Sequence, residues 1–301
     1  MQPPPDPRTW TGLALPKVSS AWWVAAANRT IERIENDMGV VVPGGSRLRL
    51  ARDRAEELAT NRLRITSADT GAARMARESL RTVWDFAVIA DTAPSAPRFR
   101  EELRIALTGP LLNKDGPNDG ARDLQFQLYV GAVFAMGGVQ VWGQEPDLRF
   151  LLNGVERGLA VKRVRSARKL GNRVANAAQQ LLTQGLRGLV VVNLDAFLKD
   201  VSFADAHHEA AVAGGRFNRA VAPLYRILPR LSGQLSVLGL LAVGTTFEWA
   251  VYDDRPRFDL NWFFQFRWFE DSFESADDGE QFVGAFRTRV IERFAAILAE
   301  P

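Results

Sequence analysis

The 301-residue chain contains no cysteine, which excludes disulfides and thiolate metal sites. Its two histidines are adjacent, and His207-His208-Glu209 lacks the second histidine of an H-E-x-x-H zinc site. There is no phosphate loop, no G-x-G-x-x-G and no G-x-S-x-G, so the usual nucleotide-binding and serine-hydrolase signatures are missing. No window reaches about 18 apolar residues, and no membrane span is expected. The opening MQPPPDPRTW has no basic segment leading into an apolar run, so no signal peptide is expected. These absences fit a cytoplasmic protein. Lysine is scarce too: Lys17, Lys114, Lys162, Lys169 and Lys199 are the only lysines among 38 basic residues. The arginines that make up the rest suit bidentate phosphate contacts, although GC-rich coding produces the same bias.

What is present is ordinary for a globular protein: 47% apolar and 24% charged residues, with a net charge of +3 that by itself names no partner. Residues 1–20 are proline-rich and read as extended or disordered at the start. Trp22, Trp23, Val24, Ile31 and Ile34 mark a helix over 21–37, ended by Gly39. Val40–Val42 with Pro43-Gly44-Gly45 reads as a brief extended piece and turn. Further amphipathic helices are expected over 47–65, 72–90 and 98–107. Arg47, Arg49, Arg52, Arg54, Arg62 and Arg64 could line a nucleic-acid surface, but a solvated helix face with internal ion pairs is the plainer explanation. The linker-like KDGPNDG at 114–120 divides the chain into a mainly helical N-terminal region, 1–118, and a second domain, 119–301.

The second domain opens on the most informative stretch. Leu124, Leu128, Ala132 and Ala135 lie at helical spacing over 123–137, and Gly137-Gly138 ends that helix. A strand is expected over 139–142, and a second over 148–152, opened by Pro146-Asp147. Asn153-Gly154 predicts a hairpin turn, with the return strand over 158–164. A helix from about Ala167 to Gln184 and a buried strand over 189–192 follow. The expected fold class is therefore α/β (α+β), a mixed sheet flanked by helices. Beyond it, 203–232 reads as mostly helical with breaks at Gly214-Gly215 and Pro223. Residues 235–243 and 246–252 read as a hairpin around Gly244. The aromatic run FDLNWFFQFRWF, 258–269, reads as a strand or a helix start whose rings belong to the core rather than to a base-stacking platform. An amphipathic helix over 282–298 closes the chain behind an acidic 274–280.

The order helix, three strands, helix, strand, with Pro146-Asp147 on one strand and Lys162 on the next, resembles the PD-(D/E)xK nuclease superfamily. The resemblance implies a restriction-endonuclease-like fold and a metal-dependent DNA endonuclease of a bacterial restriction or phage-defence kind. It further implies a homodimer, one site per DNA strand, or recruitment by a partner protein of a defence system. Its matching residues are Asp147 as catalytic acid and ligand of Mg2+ or Mn2+, Lys162, and Gln179 or Gln180 on the following helix. The superfamily's second acid falls at Ala160, within Ala160-Val161-Lys162, and the acid of its first helix falls at Gln127.

Hydrolysis of a phosphodiester requires an activated water and a cation to offset charge on the phosphate oxygens. Magnesium takes oxygen ligands, typically one or two carboxylates plus water and phosphate. Positions 160 and 162 share one strand face, so alanine at 160 removes a ligand beside Lys162. The chain as written is expected to cut poorly or not at all. Glu156 lies roughly 13 Å along the strand from position 160, and Glu145 shares the face of Asp147; neither restores a normal site. The alanine is either a natural loss or a substitution that traps an inactive enzyme, and the intact GLAVKR around it favours the substitution. A natural loss would leave a nuclease-like protein that binds nucleic acid or a partner. Arg163, Arg165, Arg168, Lys169 and Arg173 continue from Lys162 as a basic run opening a helix, which suits contact with a phosphate backbone.

Overall fold

The computed structural model describes residues 9–14, 17–60, 70–92, 97–109, 111, 120–195, 209–234, 236–252 and 255–299. Arg62, Arg64, His207, His208 and the KDGPNDG segment up to Asn118-Asp119 lie outside the described residues.

A mixed eight-stranded sheet organises the chain. Its strands are β1 (Thr9–Ala14), β2 (Lys17–Ser19), β3 (Gln140–Gln144), β4 (Asp147–Leu152), β5 (Val155–Arg163), β6 (Gly188–Asn193), β7 (Val237–Tyr252) and β8 (Arg255–Trp268). The order is β1-β8-β7-β6-β5-β4-β3, with β2 also paired to β8. β3, β4 and β5 form an antiparallel meander, whereas β5, β6 and β7 run parallel. The turn between β4 and β5 is the one Asn153-Gly154 predicts, with φ of 54° and 78° at the two residues. The parallel strand β6 needs no polar face, and every residue from Gly188 to Asn193 is buried.

Helices cover both faces. On one side lie α1 (Ser20–Asn36), α2 (Arg47–Ala59), α3 (Thr70–Thr92), α4 (Pro97–Leu107), α5 (Gly120–Met136), α9 (Ala276–Phe286) and α10 (Arg293–Ala299), where described side chains pack with Leu148, Phe150, Leu159, Val161, Leu189 and Val191 of the sheet. On the other lie α6 (Ala167–Thr183), α7 (Glu209–Val221) and α8 (Leu228–Ser232), packed on Ala160, Val190, Val192, Leu240 and Ala242. The alternation of strand side chains separates the two sets cleanly: 159 and 161 point one way and 160 the other.

The structure is mixed α/β, with helical character dominating the N-terminal region, yet that region does not stand apart. β1 and β2 complete the sheet at β8, and Trp23, Ile34, Leu58 and Leu103 share a core with Phe134, Phe150 and Phe266. Arg47 is fully buried, its guanidinium donating to the Ala106 and Ala121 carbonyls. Arg49 pairs with Glu35, Arg52 with Asp53 and Arg54 with Glu57, so this helix face is ion-paired.

Several expected boundaries move. Gly244 is no turn: β7 runs through it for 16 residues and pairs along its length with β8. The aromatic run is β8, with Trp262, Phe264 and Phe266 in one core and Phe263 stacked on Phe217 at 5.7 Å in the other. α7 passes through Gly214-Gly215, because burying Phe217, Ala220 and Val221 outweighs the ~1 kcal/mol each glycine costs a helix. The acidic segment near 276 belongs to α9 itself; Ser275 accepts from the Asp278 amide at 3.1 Å, and Asp277 and Asp278 face the positive helix end. A π-helical segment, Arg287–Glu292, joins α9 to α10.

A buried polar cluster ties α3 and α5 to the end of β6. Arg81 pairs with Asp195 and reaches Asp85 Oδ2 at 3.4 Å; Gln125 Nε2 donates to the same oxygen at 2.7 Å. Burial pushes the Asp85 carboxyl above its ordinary range, against the opposing pull of Arg81. Among the described residues Asp85 Oδ1 and Gln125 Oε1 are both buried acceptors without a donor, and a proton on the carboxyl would offer one. A raised folded-state value means that the stability Asp85 contributes is present below the ordinary carboxylate range and lost as pH rises through the folded value. Asp85→Asn mimics the protonated acid at every pH. Thermal melts should therefore show the variant gaining on the parent as pH rises; a variant that falls behind at mildly alkaline pH would show Asp85 held ionised by Arg81.

Candidate functional site

Asp147 opens β4 immediately after the cis Glu145–Pro146 peptide. The β4 residues Leu148, Phe150 and Leu152 enter the core beneath α5 and α9, so strand alternation turns Asp147 to the opposite face, toward α6. Two glutamines hold the main chain here. Gln127 on α5 donates to the Asp147 carbonyl at 2.8 Å, and Gln180 on α6 approaches the Pro146 carbonyl at 3.5 Å. Gly158 lets the layers close: a Cβ there would lie 2.6 Å from Leu181 of α6 and 3.1 Å from the Pro146 ring. Both glutamines expected at the chemistry thus position backbone. Gln179 is exposed and bonds Thr183 within its own helix at 3.3 Å.

The Asp147 carboxylate is engaged through one oxygen. Oδ2 accepts from Lys162 Nζ at 2.8 Å and from the Val161 amide at 2.7 Å. The pair is largely enclosed, with the two side chains 19% and 13% exposed. Burial raises the Asp147 pKa, while the Lys162 charge and the two hydrogen bonds pull it down. The β4–β5 register, Leu148 opposite Leu159, places Ala160 across from Asp147. Ala160 is fully buried in the apolar cluster with Leu170, Val174, Ala177 and Val190, so its surroundings are those of an apolar position.

As arranged, these residues do not fit a magnesium or manganese ion. Among the described residues Asp147 is the one carboxylate bonded to Lys162, its charge is matched by that ammonium at hydrogen-bond distance, and position 160 offers no side-chain oxygen. Among the described residues no three Asp, Glu, His or Cys side chains gather into a metal-binding group. Glu156, the distant stand-in, pairs with Arg149 at 2.7 Å near the hairpin. Glu145 is near enough to raise the Asp147 pKa, and with Asn176, Gln180, Thr183 and Gln184 it lines a cleft of about 270 Å³.

The basic run divides into two groups. Arg163 and Arg165 turn to Asp123 of α5, at 3.2 and 3.8 Å. Arg168, Lys169 and Arg173, on the first turns of α6, are exposed and meet no carboxylate among the described residues. Lys169, Arg173, Asn176 and Gln180 follow at helical spacing, so they form one stripe leading to Pro146 and the Asp147–Lys162 pair. Residues 157–194 hold no acid at all, and neither do 210–247. That charge pattern is visible in the sequence and locates cations the motif alone does not, Arg219, Arg226 and Arg230.

No protein-family model, curated protein or solved structure matches the chain.

Proposed function

We propose that the chain is a nuclease-like protein that holds nucleic acid by its phosphate backbone and does not cleave it by metal-dependent hydrolysis. The carrying observation is the Asp147–Lys162 pair, closed on itself beside an apolar Ala160 and flanked by α6 cations that meet no carboxylate among the described residues. The reading of a restriction-endonuclease-like fold draws support from the element order α5-β3-β4-β5-α6-β6, with Asp147 and Lys162 adjacent on neighbouring strands. In the bound state Lys169 and Arg173 neutralise backbone phosphates, and Asn176 and Gln179 offer amides beside them. Each phosphate neutralised displaces condensed counterions, which makes binding fall with salt. Asp147 keeps Lys162 fixed beneath this surface and leaves the overall charge of the cleft low.

The test is a salt titration of DNA binding by the parent and by Lys169→Gln/Arg173→Gln. The double variant should flatten the log–log salt slope by about 1.8, at ~0.9 per phosphate contact. An unchanged slope would remove α6 from the interface. A second reading, a metal-dependent endonuclease whose acid at 160 has been replaced, draws on the same adjacency of Asp147 and Lys162. It requires DNA cleavage by Ala160→Glu with magnesium and none with chelator.

A further inference from the structure

The helical layer that carries α6 continues across residues 215–234. A 3-10 segment, Ala222–Arg226, and α8 lie beside α6, and a Cβ on Gly171 would stand 3.6 Å from Ile227 Cδ1. Leu224, Leu228 and Leu231 face the sheet in the same cluster as Leu170 and Val174 of α6. Residues exposed on the two segments therefore face the same way, out from that layer. On α6 these include Arg168, Lys169 and Arg173; on the neighbouring segment they include Arg226 and Arg230. Arg226 and Arg230 meet no carboxylate among the described residues, and neither segment contains an acid.

Packed helices lie about 8–10 Å apart. Cations on the far flank of α6 and on the adjacent segment consequently stand in two rows. A single nucleic-acid strand presents one row of phosphates and is commonly gripped by aromatic stacking on its bases. A duplex presents two rows bordering a groove roughly 12 Å wide on its major side. Among the described residues of 167–183 and 215–234, Tyr225 is the one exposed aromatic, and its hydroxyl accepts from Gln265 Nε2 at 3.0 Å. A stacking platform is thus not what this layer is built for. We infer that Arg168, Arg226 and Arg230 form a second phosphate-binding row beside Lys169 and Arg173, so that the surface takes the two backbones of one nucleic-acid duplex. The inference rests on the backbone-binding reading proposed above.

The experiment compares parent, Arg226→Gln/Arg230→Gln and Lys169→Gln/Arg173→Gln for a labelled duplex and its separated strand, by fluorescence anisotropy across a salt series. Both pairs are exposed, and matching melting curves verify that each variant is folded. The 226/230 variant should lower duplex affinity roughly tenfold or more and flatten its salt slope by about 1.8, with a smaller change for the single strand. If the 169/173 variant loses affinity and slope while the 226/230 variant keeps both, the second row is overturned and the first stands. If the 226/230 variant weakens strand and duplex alike, the duplex assignment is overturned. If the parent shows no salt-dependent binding, both rows fall together.

Discussion

Ala160→Glu is expected to destabilise the protein by several kcal/mol, on the order of 3. Ala160 is fully buried, and the added carboxylate would have to leave the packing of Leu170, Val174 and Val190 and settle against Asp147 across the ladder. Lys162 already neutralises Asp147, so a second negative charge there is uncompensated and drawn toward its protonated form. Denaturant unfolding of parent and variant in chelator measures the loss. A variant as stable as its parent would mean that position 160 is open to solvent or to a cation, contrary to its packing. If magnesium then restored stability in the variant alone, the two carboxylates would be acting as a site, since a ligand stabilises the state that binds it.

Asp147→Ala should be comparably severe, about 3–5 kcal/mol, because it leaves a largely enclosed ammonium and the Val161 amide without an acceptor. The remedy follows from the cause: adding Lys162→Met to that variant removes the stranded charge and should recover much of the loss. A carboxylate kept for a metal behaves differently. Its removal would leave stability unchanged or improved in chelator, and Lys162→Met would bring no recovery. The three-variant series therefore separates a structural ion pair from an idle metal ligand without depending on any activity.

The stretch from α5 to β6 was legible because each element there carries a local mark. Leu124 and Leu128 repeat at helical spacing, Asn153-Gly154 demands a left-handed turn, and Leu189–Val192 is apolar enough only for a strand buried on both faces. That Asp147 and Lys162 stand on neighbouring strands was legible as well, whereas their direct hydrogen bond was not. What was not legible depends on distant partners. Gly244 reads as a turn locally, but β8 pairs with β7 on both sides of it. Thr9–Ala14 lies in a proline-rich start that reads as extended or disordered, and it becomes a strand because β8 presents an edge to it. Gln127 stands where the resemblance places an acid, and Gln180 where it places a glutamine at the chemistry; that they hold the carbonyls of Asp147 and Pro146 follows only from how α5 and α6 cross the sheet. Arg226 and Arg230 join the α6 surface through the contact of Gly171 with Ile227, which no spacing rule announces.

Backbone binding without cleavage is tested by incubating the chain with labelled plasmid or duplex DNA over a salt series, in magnesium and in chelator, and reading binding and strand scission from the same samples. That role requires salt-sensitive binding with the same slope in both, apart from the competition of magnesium for phosphates, and intact DNA throughout. Scission that appears with magnesium and vanishes with chelator, or an absence of binding at low salt, would contradict it.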